Sequence, residues 1–451
     1  MTDDAKLDKM INEPVERLIL KLAVPTVMIM LVSAMYNTAD TYFVGSLGTA
    51  ATGAIGVSFS LMAIIQATGF FFGQGSGNFV SRALGAKRRE DAEKMASTGF
   101  FLAFAFGCLI AIFGTIYIRP LALALGSTPT ILPYAVNYLR YILLGAPFMV
   151  SSLALNNLLR FQGSAVFSMI GLVSGAALNI ALDPLFIFVL DLGVAGAALA
   201  TMISQIVGFI MLFAGCFRGG NVRISIKSFA PSAARCFELA RGGTPSLLRQ
   251  AMMSVSTIIL NNSAKEFSDA VIAAVSVVTR VVLLSGSVML GLGQGFQPVC
   301  GFNYGAGRFD RVKRGFLFCV IASGALLTVV GAFCYIFAPN IIAFFRDDPD
   351  VIEIGRFSLR AQAFVMPLSS WIVLCNTTLQ TTGQALPASV LSFARQGFFQ
   401  IPLLLILVSL IGVRGIQLAT PIGDLCTFLL SVPFGIAALR RMSAEMNAAR
   451  L

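Results

Sequence analysis

The 451-residue chain contains no histidine and one tryptophan, and only 12% of its residues are charged. Each shortage excludes something. Without an imidazole there is no histidine-dependent catalytic triad and no His-ligated zinc site. The eight cysteines, at 108, 216, 236, 300, 319, 334, 375 and 426, form no Cys-x-x-Cys pair. Most fall within apolar runs, so they read as small apolar residues rather than disulfides or metal ligands. No Gly-Lys-Ser/Thr ending follows any glycine-rich stretch, so ATP is not the energy source within this chain. The charge content is about half of the roughly 25% usual in soluble domains. The start, MTDDAKLDKMINEPVERL, lacks a short apolar core followed by a small-residue cleavage site, and reads as a charged amphipathic lead-in rather than a signal peptide.

What the chain has in abundance is apolar sequence: 57% of residues, with a mean hydropathy of +0.84. Runs of about 20 apolar residues, the length that crosses a bilayer, recur from end to end. They give twelve expected spans, at 18–43, 53–80, 95–118, 133–158, 166–190, 194–217, 243–264, 271–300, 315–338, 354–380, 388–411 and 415–438. Basic residues gather in alternate loops, as in RALGAKRREDAEK after the second span and GRFDRVKR after the eighth, whereas RDDPDVIE after the ninth is acidic. The positive-inside rule then places both termini in the cytoplasm of a multi-pass protein of the cell membrane. The net charge of +11 is spread over short loops rather than one patch, which argues against a nucleic-acid partner.

The chain also repeats itself. GQGSGNFVSRALGAKRREDAEK begins at Gly73 and GQGFQPVCGFNYGAGRFDRVKR at Gly293, an offset of 220. The same offset pairs Pro25 with Pro245, Asn156 with Asn376 and Gly163 with Gly383; at GVAGAALAT (193–201) and GVRGIQLAT (412–420) it becomes 219. Each repeat holds six spans, an even number, so the halves run parallel and are expected to be related by an axis along the membrane normal. The expected fold class is therefore an all-α integral membrane protein, with twelve transmembrane helices in two parallel six-helix repeats related by a pseudo-two-fold. The expected organisation is an N-terminal lobe 1–217, a cytoplasmic linker 218–241 rich in Gly, Pro, Ser and basic residues, and a C-terminal lobe 242–451. Glycines 69, 73, 75 and 77, matched by 291, 293 and 295, are expected to let helices approach closely in both halves.

One stretch breaks the apolar pattern. In LNIALDPLFIF (178–188), Asn179 and Asp183 stand four residues apart, on one face of a helix, inside a run with no other acid. Aspartate near a bilayer centre costs roughly 2.5–3.5 kcal/mol even on lenient scales, so such an acid faces the protein interior or a wet cavity.

Twelve spans, the duplicated Gly-Gln-Gly…Gly-Ala stretch and LNIALDP resemble the multidrug and toxin extrusion (MATE) transporters over nearly the whole chain. The resemblance implies cation-coupled efflux of amphipathic, often cationic compounds by alternating access. In one branch of that family a cation site is formed by residues that match Asp40, Asn179, Asp183 and Thr201 here. Tyr138 and Asn156 match neighbouring cavity positions, and Tyr36 and Asp424 join them as candidate substrate-cavity residues. Another branch carries carboxylates in spans 7 and 10, and none occurs there in this chain.

Two carboxylates, an amide oxygen and a hydroxyl form an all-oxygen set that suits a hard cation such as Na⁺. Two like charges in a poorly solvated site cannot both ionise cheaply, so the same pair takes a proton unless a cation sits between them. The coupling ion is H⁺ or Na⁺, with no tightly bound cofactor. The asymmetry of the repeat fits: position 40 maps to Leu260, and no second-half acid pairs with Asp183. Plainer readings stand beside these. Asp40 becomes a loop residue if the first span ends early, Asp183-Pro184 can merely kink a helix, Thr201 can pack between helices, and Asp424 can bind a neighbouring helix. Arg140, Arg249, Arg280 and Arg395 read as snorkelling or structurally paired.

The expected function is a non-enzymatic, cation-coupled antiporter, a monomer exporting small amphipathic or cationic substrates. A flippase for a lipid-linked precursor is the alternative. Its phosphates would call for an Arg- and Lys-lined cavity, whereas the first half offers acids. A membrane enzyme is more distant, with no convergent catalytic set.

Overall fold

In a bilayer every backbone N–H and C=O must be bonded within the protein, which leaves helices as the economical solution for a chain of long apolar runs. The computed structural model describes residues 3–45 and 47–448, with the side chains of 3, 4, 34, 37–42, 45, 49, 50 and 448 outside the described part. Helices are the regular structure throughout the described residues. In chain order they are α1 (Asp3–Asn12), α2 (Val15–Gly45), α3 (Thr49–Gly85), α4 (Arg89–Ile116), α5 (Ile118–Ala124) and α6 (Leu132–Phe161). Then come α7 (Ala165–Val189), α8 (Gly193–Cys216), α9 (Ala233–Lys265), α10 (Asp269–Gly305) and α11 (Phe309–Ile336). The last are α12 (Ala338–Phe345), α13 (Pro349–Thr381), α14 (Ala385–Ile411) and α15 (Val413–Ala448).

Ten of these are long and apolar enough to cross a membrane. With α2 and α9, of 31 and 33 residues, they make the twelve long helices expected from the sequence. The chain is a multi-pass membrane protein. Ile321, Val329, Phe364 and Leu410 stand exposed on it, as side chains facing lipid do. Several helices outrun their apolar spans, α10 and α15 most clearly, because hydropathy marks only the part inside hydrocarbon. The expected linker 218–241 divides: its first part is irregular apart from a single turn at Ile226–Ser228, and from Ala233 it is already the start of α9.

The contacts divide the chain into two units: Met1–Glu13 with Val24–Leu247, and Pro14–Ala23 with Leu248–Leu451. In the first, α6 is the central helix, with Leu139, Ile142, Leu143, Val150, Leu155 and Leu158 all fully buried. A helix apolar and buried all round is what a bundle centre needs. Helix α1 packs on this unit. Met10 lies against Gly163, and Lys6, though charged, is buried and donates to Ser164 Oγ (2.8 Å) and to Asn221 Oδ1.

The repeat is written into the backbone. Lys87 and Gly307, 220 apart, both have positive φ (59° and 72°). At both turns the next residue bonds back six-to-one: Arg88 N to Ala83 O and Arg308 N to Asn303 O, each 2.8 Å. Gly163 and Gly383 repeat the device (φ 75° and 82°), with Ser164 N to Leu159 O at 2.9 Å and Gln384 N to Leu379 O at 2.8 Å. The short helices α5 and α12 also begin 220 residues apart, a pair of elements that hydropathy alone did not single out.

The glycines expected to permit close approach do so unequally. A Cβ on Gly75 would strike the Leu239 carbonyl and approach Gly243 N, and one on Gly295 would lie 2.6 Å from Ala23 N. These are the same contact in each unit, since Ala23 and Gly243 are themselves 220 apart. Gly77 meets the Phe161 ring, Gly69 meets Leu153 at 2.7 Å and Gly73 meets Asn157 at 2.9 Å. At Gly293, however, the nearest atom is Leu374 Cδ2 at 3.6 Å, an ordinary contact. Gly75→Ala should therefore lower stability by about 1–3 kcal/mol through overpacking against backbone. Gly293→Ala should be neutral or stabilising by up to about 1 kcal/mol, the helix preference of alanine. Thermal unfolding of the detergent-solubilised variants measures both, and equal shifts would contradict the difference.

Candidate functional site

The site begins with two helices that cross closely. GLVSG on α7 and SQIVG on α8 put small residues one helical turn apart. A Cβ on Gly175 would lie 3.0 Å from Ser204 O, and one on Gly208 would lie 3.2 Å from Gly171 O. Such stripes let backbones approach where lipid gives no hydrophobic drive for association. Beside this crossing is a cavity of about 80 Å³, lined by Ser33 and Tyr36 of α2, Ser152 of α6, Asn179 of α7, and Thr201, Ser204 and Gln205 of α8, with the glycines. A water needs roughly 10–15 Å³ on the same measure, so there is room for a small ion with some hydration.

Asn179 and Asp183 meet as their spacing predicts. Both are fully buried, and Asn179 Nδ2 donates to Asp183 Oδ1 and to Thr201 Oγ1, each at 3.3 Å. These are long bonds, near the limit of the useful range. The other face of the amide is an acceptor: Asn179 Oδ1 has no hydrogen-bond partner among the described residues, and neither do the hydroxyls of Ser204 and Ser152. An acceptor amide oxygen and hydroxyls at a cavity wall, with a carboxylate one turn away, can coordinate a cation or solvate a proton.

Directly after Asp183 the helix widens into a π turn over Leu185–Val189. Pro184 has no N–H to give, and Leu190 N reaches back to Leu185 O at 2.9 Å while Leu192 N bonds Phe186 O at 3.0 Å. Gly196 lies against the Phe186 carbonyl (2.7 Å to a built Cβ), so α8 begins where only a glycine fits. Single π turns often mark functional sites, and this one ends the helix that carries the acid.

The remaining expected residues are distributed as follows. Tyr36 lines the cavity. Asp40 lies on α2, but its side chain is outside the described residues. Tyr138 is fully buried on α6. Asn156 donates to Ser168 Oγ across the α6–α7 corner, and its repeat mate Asn376 donates to Ala388 O (2.7 Å) and Ser392 Oγ (2.9 Å) across the matching corner. Asp424 belongs to the second unit, where it accepts from Arg395 and Gln362. The sequence reading missed Ser33, Ser152, Ser204 and Gln205; the small-residue stripes flanking them were the available signal.

The Ser204 hydroxyl gives a test of this geometry. Removing a buried, unsatisfied hydroxyl relieves a desolvation cost, so Ser204→Ala should hold or raise thermal stability, by up to about 1 kcal/mol. A drop of more than that would show the hydroxyl to be bonded in the folded protein.

Comparison with known proteins agrees with the repeat. The MatE family model matches the chain twice, at residues 25–185 and 245–406. The multidrug export protein MepA of Staphylococcus aureus (strain MSSA476) is 28% identical over 407 residues, 90% of each chain. That of Staphylococcus haemolyticus (strain JCSC1435) is 28% identical over 402 residues, 88% of each. The solved outward-facing structure of a multidrug resistance MATE family transporter of the MOP superfamily superposes with a TM-score of 0.90 at 26% identity, covering 97% of this chain and 98% of that one. Two family matches in register with the internal repeat, over more than half of the sequence, show that the chain belongs to the MatE family.

Proposed function

We propose that this protein is a multidrug exporter in which the cavity of the first unit binds a coupling cation, H⁺ or Na⁺, that is exchanged for an amphipathic and often cationic compound by alternating access. The observation that carries the reading is the buried Asn179–Asp183–Thr201 cluster, whose amide and threonine line a cavity together with Ser33, Ser152 and Ser204 in a membrane-spanning unit. The relatives named as multidrug export proteins support it, as does the acidic rather than basic character of this cluster. Both termini are taken to be cytoplasmic, from the alternation of basic loops.

The chemistry follows from charge. Asp183, with Asp40 as its proposed partner, holds a monovalent cation; with the cation bound the carboxylate charge is neutralised and the first unit relaxes around it. Release leaves a charge that a desolvated site holds poorly, and a cationic substrate or the next cation relieves it. Asn179 and Thr201 position the acid and supply neutral oxygens, and the serines hydrate the ion's other side. A tenfold cation gradient supplies about 1.4 kcal/mol, and 100 mV of membrane potential about 2.3 kcal/mol per charge. One cation exchanged for a neutral drug thus supports a gradient of several hundredfold by that arithmetic. For a monovalent cationic drug the exchange is electroneutral and only the roughly tenfold chemical term remains.

The test is gradient-driven dye efflux from proteoliposomes containing Asp183→Asn or Asp40→Asn, across a pH series. Each should lose gradient-driven efflux to background while inserting and unfolding like the parent. Thr201→Val should lose about three- to tenfold, the effect of one hydrogen bond of about 1 kcal/mol. Protons and Na⁺ should compete, so cation binding should weaken as pH falls. Parental efflux with an unchanged pH profile in both aspartate variants would overturn the assignment.

A further inference from the structure

The second unit carries its own buried acid, arranged differently. Asp424 on α15 is almost fully buried, with 4% of its side chain exposed. It accepts from Arg395 Nε at 2.8 Å, Arg395 Nη2 at 3.4 Å and Gln362 Nε2 at 3.1 Å. Arg395 sits in the π turn Ala394–Gln400 of α14, with 31% of its side chain exposed. Arg249 on α9 is close enough for its charge to repel that of Arg395.

Aligning the repeats shows where this pair falls. Carrying the offset of 220 seen at Gly163 and Gly383 on to the π turn brings Arg395 onto Gly175, and the offset of 219 that holds from Gly193 onward brings Asp424 onto Gln205. Both first-repeat residues line the cavity. Other cavity positions change in the same sense: Ser33 corresponds to Met253, Ser152 to Ile372 and Gly171 to Leu391. An amide–threonine bond is present again, made from a different position: Gln400 Nε2 donates to Thr420 Oγ1 at 2.9 Å, and Thr420 is the direct counterpart of Thr201, whereas Asn179 corresponds to Phe399. One framework thus holds small residues around a cavity in one unit, and bulky ones with an Arg–Asp pair in the other.

We infer that Arg395 is a tethered counter-cation that takes at Asp424 the place a mobile cation takes in the first unit, so that the protein exchanges one coupling cation per cycle rather than two. This rests on the reading of the first unit as a cation site. A guanidinium does not deprotonate in proteins, and this one is covalently attached, so it neutralises the carboxylate in every state and cannot be exchanged. Its two-point contact reaches both carboxylate oxygens and Gln362 donates to Oδ2, so three of the group's roughly four acceptor sites are already taken. Arg395 is in this account the residue that sets the coupling stoichiometry.

The experiment counts bound monovalent cations on purified, detergent-solubilised protein, by ²²Na⁺ binding and by proton uptake in parallel, so that the two ions are told apart. The parent should bind one, and Asp424→Asn should leave that count unchanged. Arg395→Gln should bind a second, lost again in Arg395→Gln with Asp424→Asn; Arg395→Lys, which keeps a tethered cation, should match the parent. Arg395→Gly, which restores the first repeat's residue, serves where glutamine is not accommodated. The same comparison in an Asp183→Asn background isolates the second unit, with an expected count of zero rising to one on Arg395→Gln. If folded Arg395→Gln and Arg395→Gly bind no more cation than their parents, or if Asp424→Asn alone abolishes the parent's binding, the inference is wrong. Loss of binding in Asp183→Asn tests the first-unit reading separately.

Discussion

A carboxylate placed inside a membrane must have its charge answered by something positive, and the two halves of this protein answer it in different ways. In the second unit, Arg395 lies on Asp424 at 2.8 Å. Removing one partner of such a pair costs on the order of 3–5 kcal/mol, because the other charge is left stranded. In the first unit Asp183 accepts from Asn179, which also donates to Thr201 and lines a cavity bordered by hydroxyls. On the proposed reading, the first unit's acid exchanges its cation during transport, whereas Arg395 is held on Asp424 by its own chain.

The scaffold that makes this possible is set by backbone proximity. Gly171, Gly175 and Gly208 bring α7 and α8 together, and Gly75 and Gly295 play matching parts against Leu239–Gly243 and Ala23. Positive-φ turns at Lys87 and Gly307, and at Gly163 and Gly383, end equivalent helices with equivalent bonds. The duplicated frame was retained while the residues facing its interior diverged. The π turns mark that divergence, since one follows Asp183 and the other carries Arg395.

Much of this was legible in the sequence, for definite reasons. Twelve helices follow from run length, and the repeat from landmarks that keep their order. Asn179 and Asp183 follow from a four-residue spacing within an apolar run, which admits one reading of their common face. Other features depend on packing that no local pattern encodes. Ser204 and Ser152 line the cavity because α6 and α8 happen to meet there, and Asp424 finds Arg395 across 29 residues and two helices. Lys6 belongs to what the sequence presents as a charged amphipathic lead-in, and its ammonium is buried between Ser164 and Asn221. Asn156 was legible as a position but not as a corner tie, because its bond to Ser168 runs across a turn.

The most direct measurement is transport itself, in proteoliposomes loaded with a fluorescent cationic dye, with a pH gradient and a Na⁺ gradient imposed one at a time. The account predicts that at least one of the two drives dye against its own gradient, and that collapsing that cation gradient stops it. Dye movement that is indifferent to both gradients would contradict the claim that the first unit's buried acid couples a cation to export.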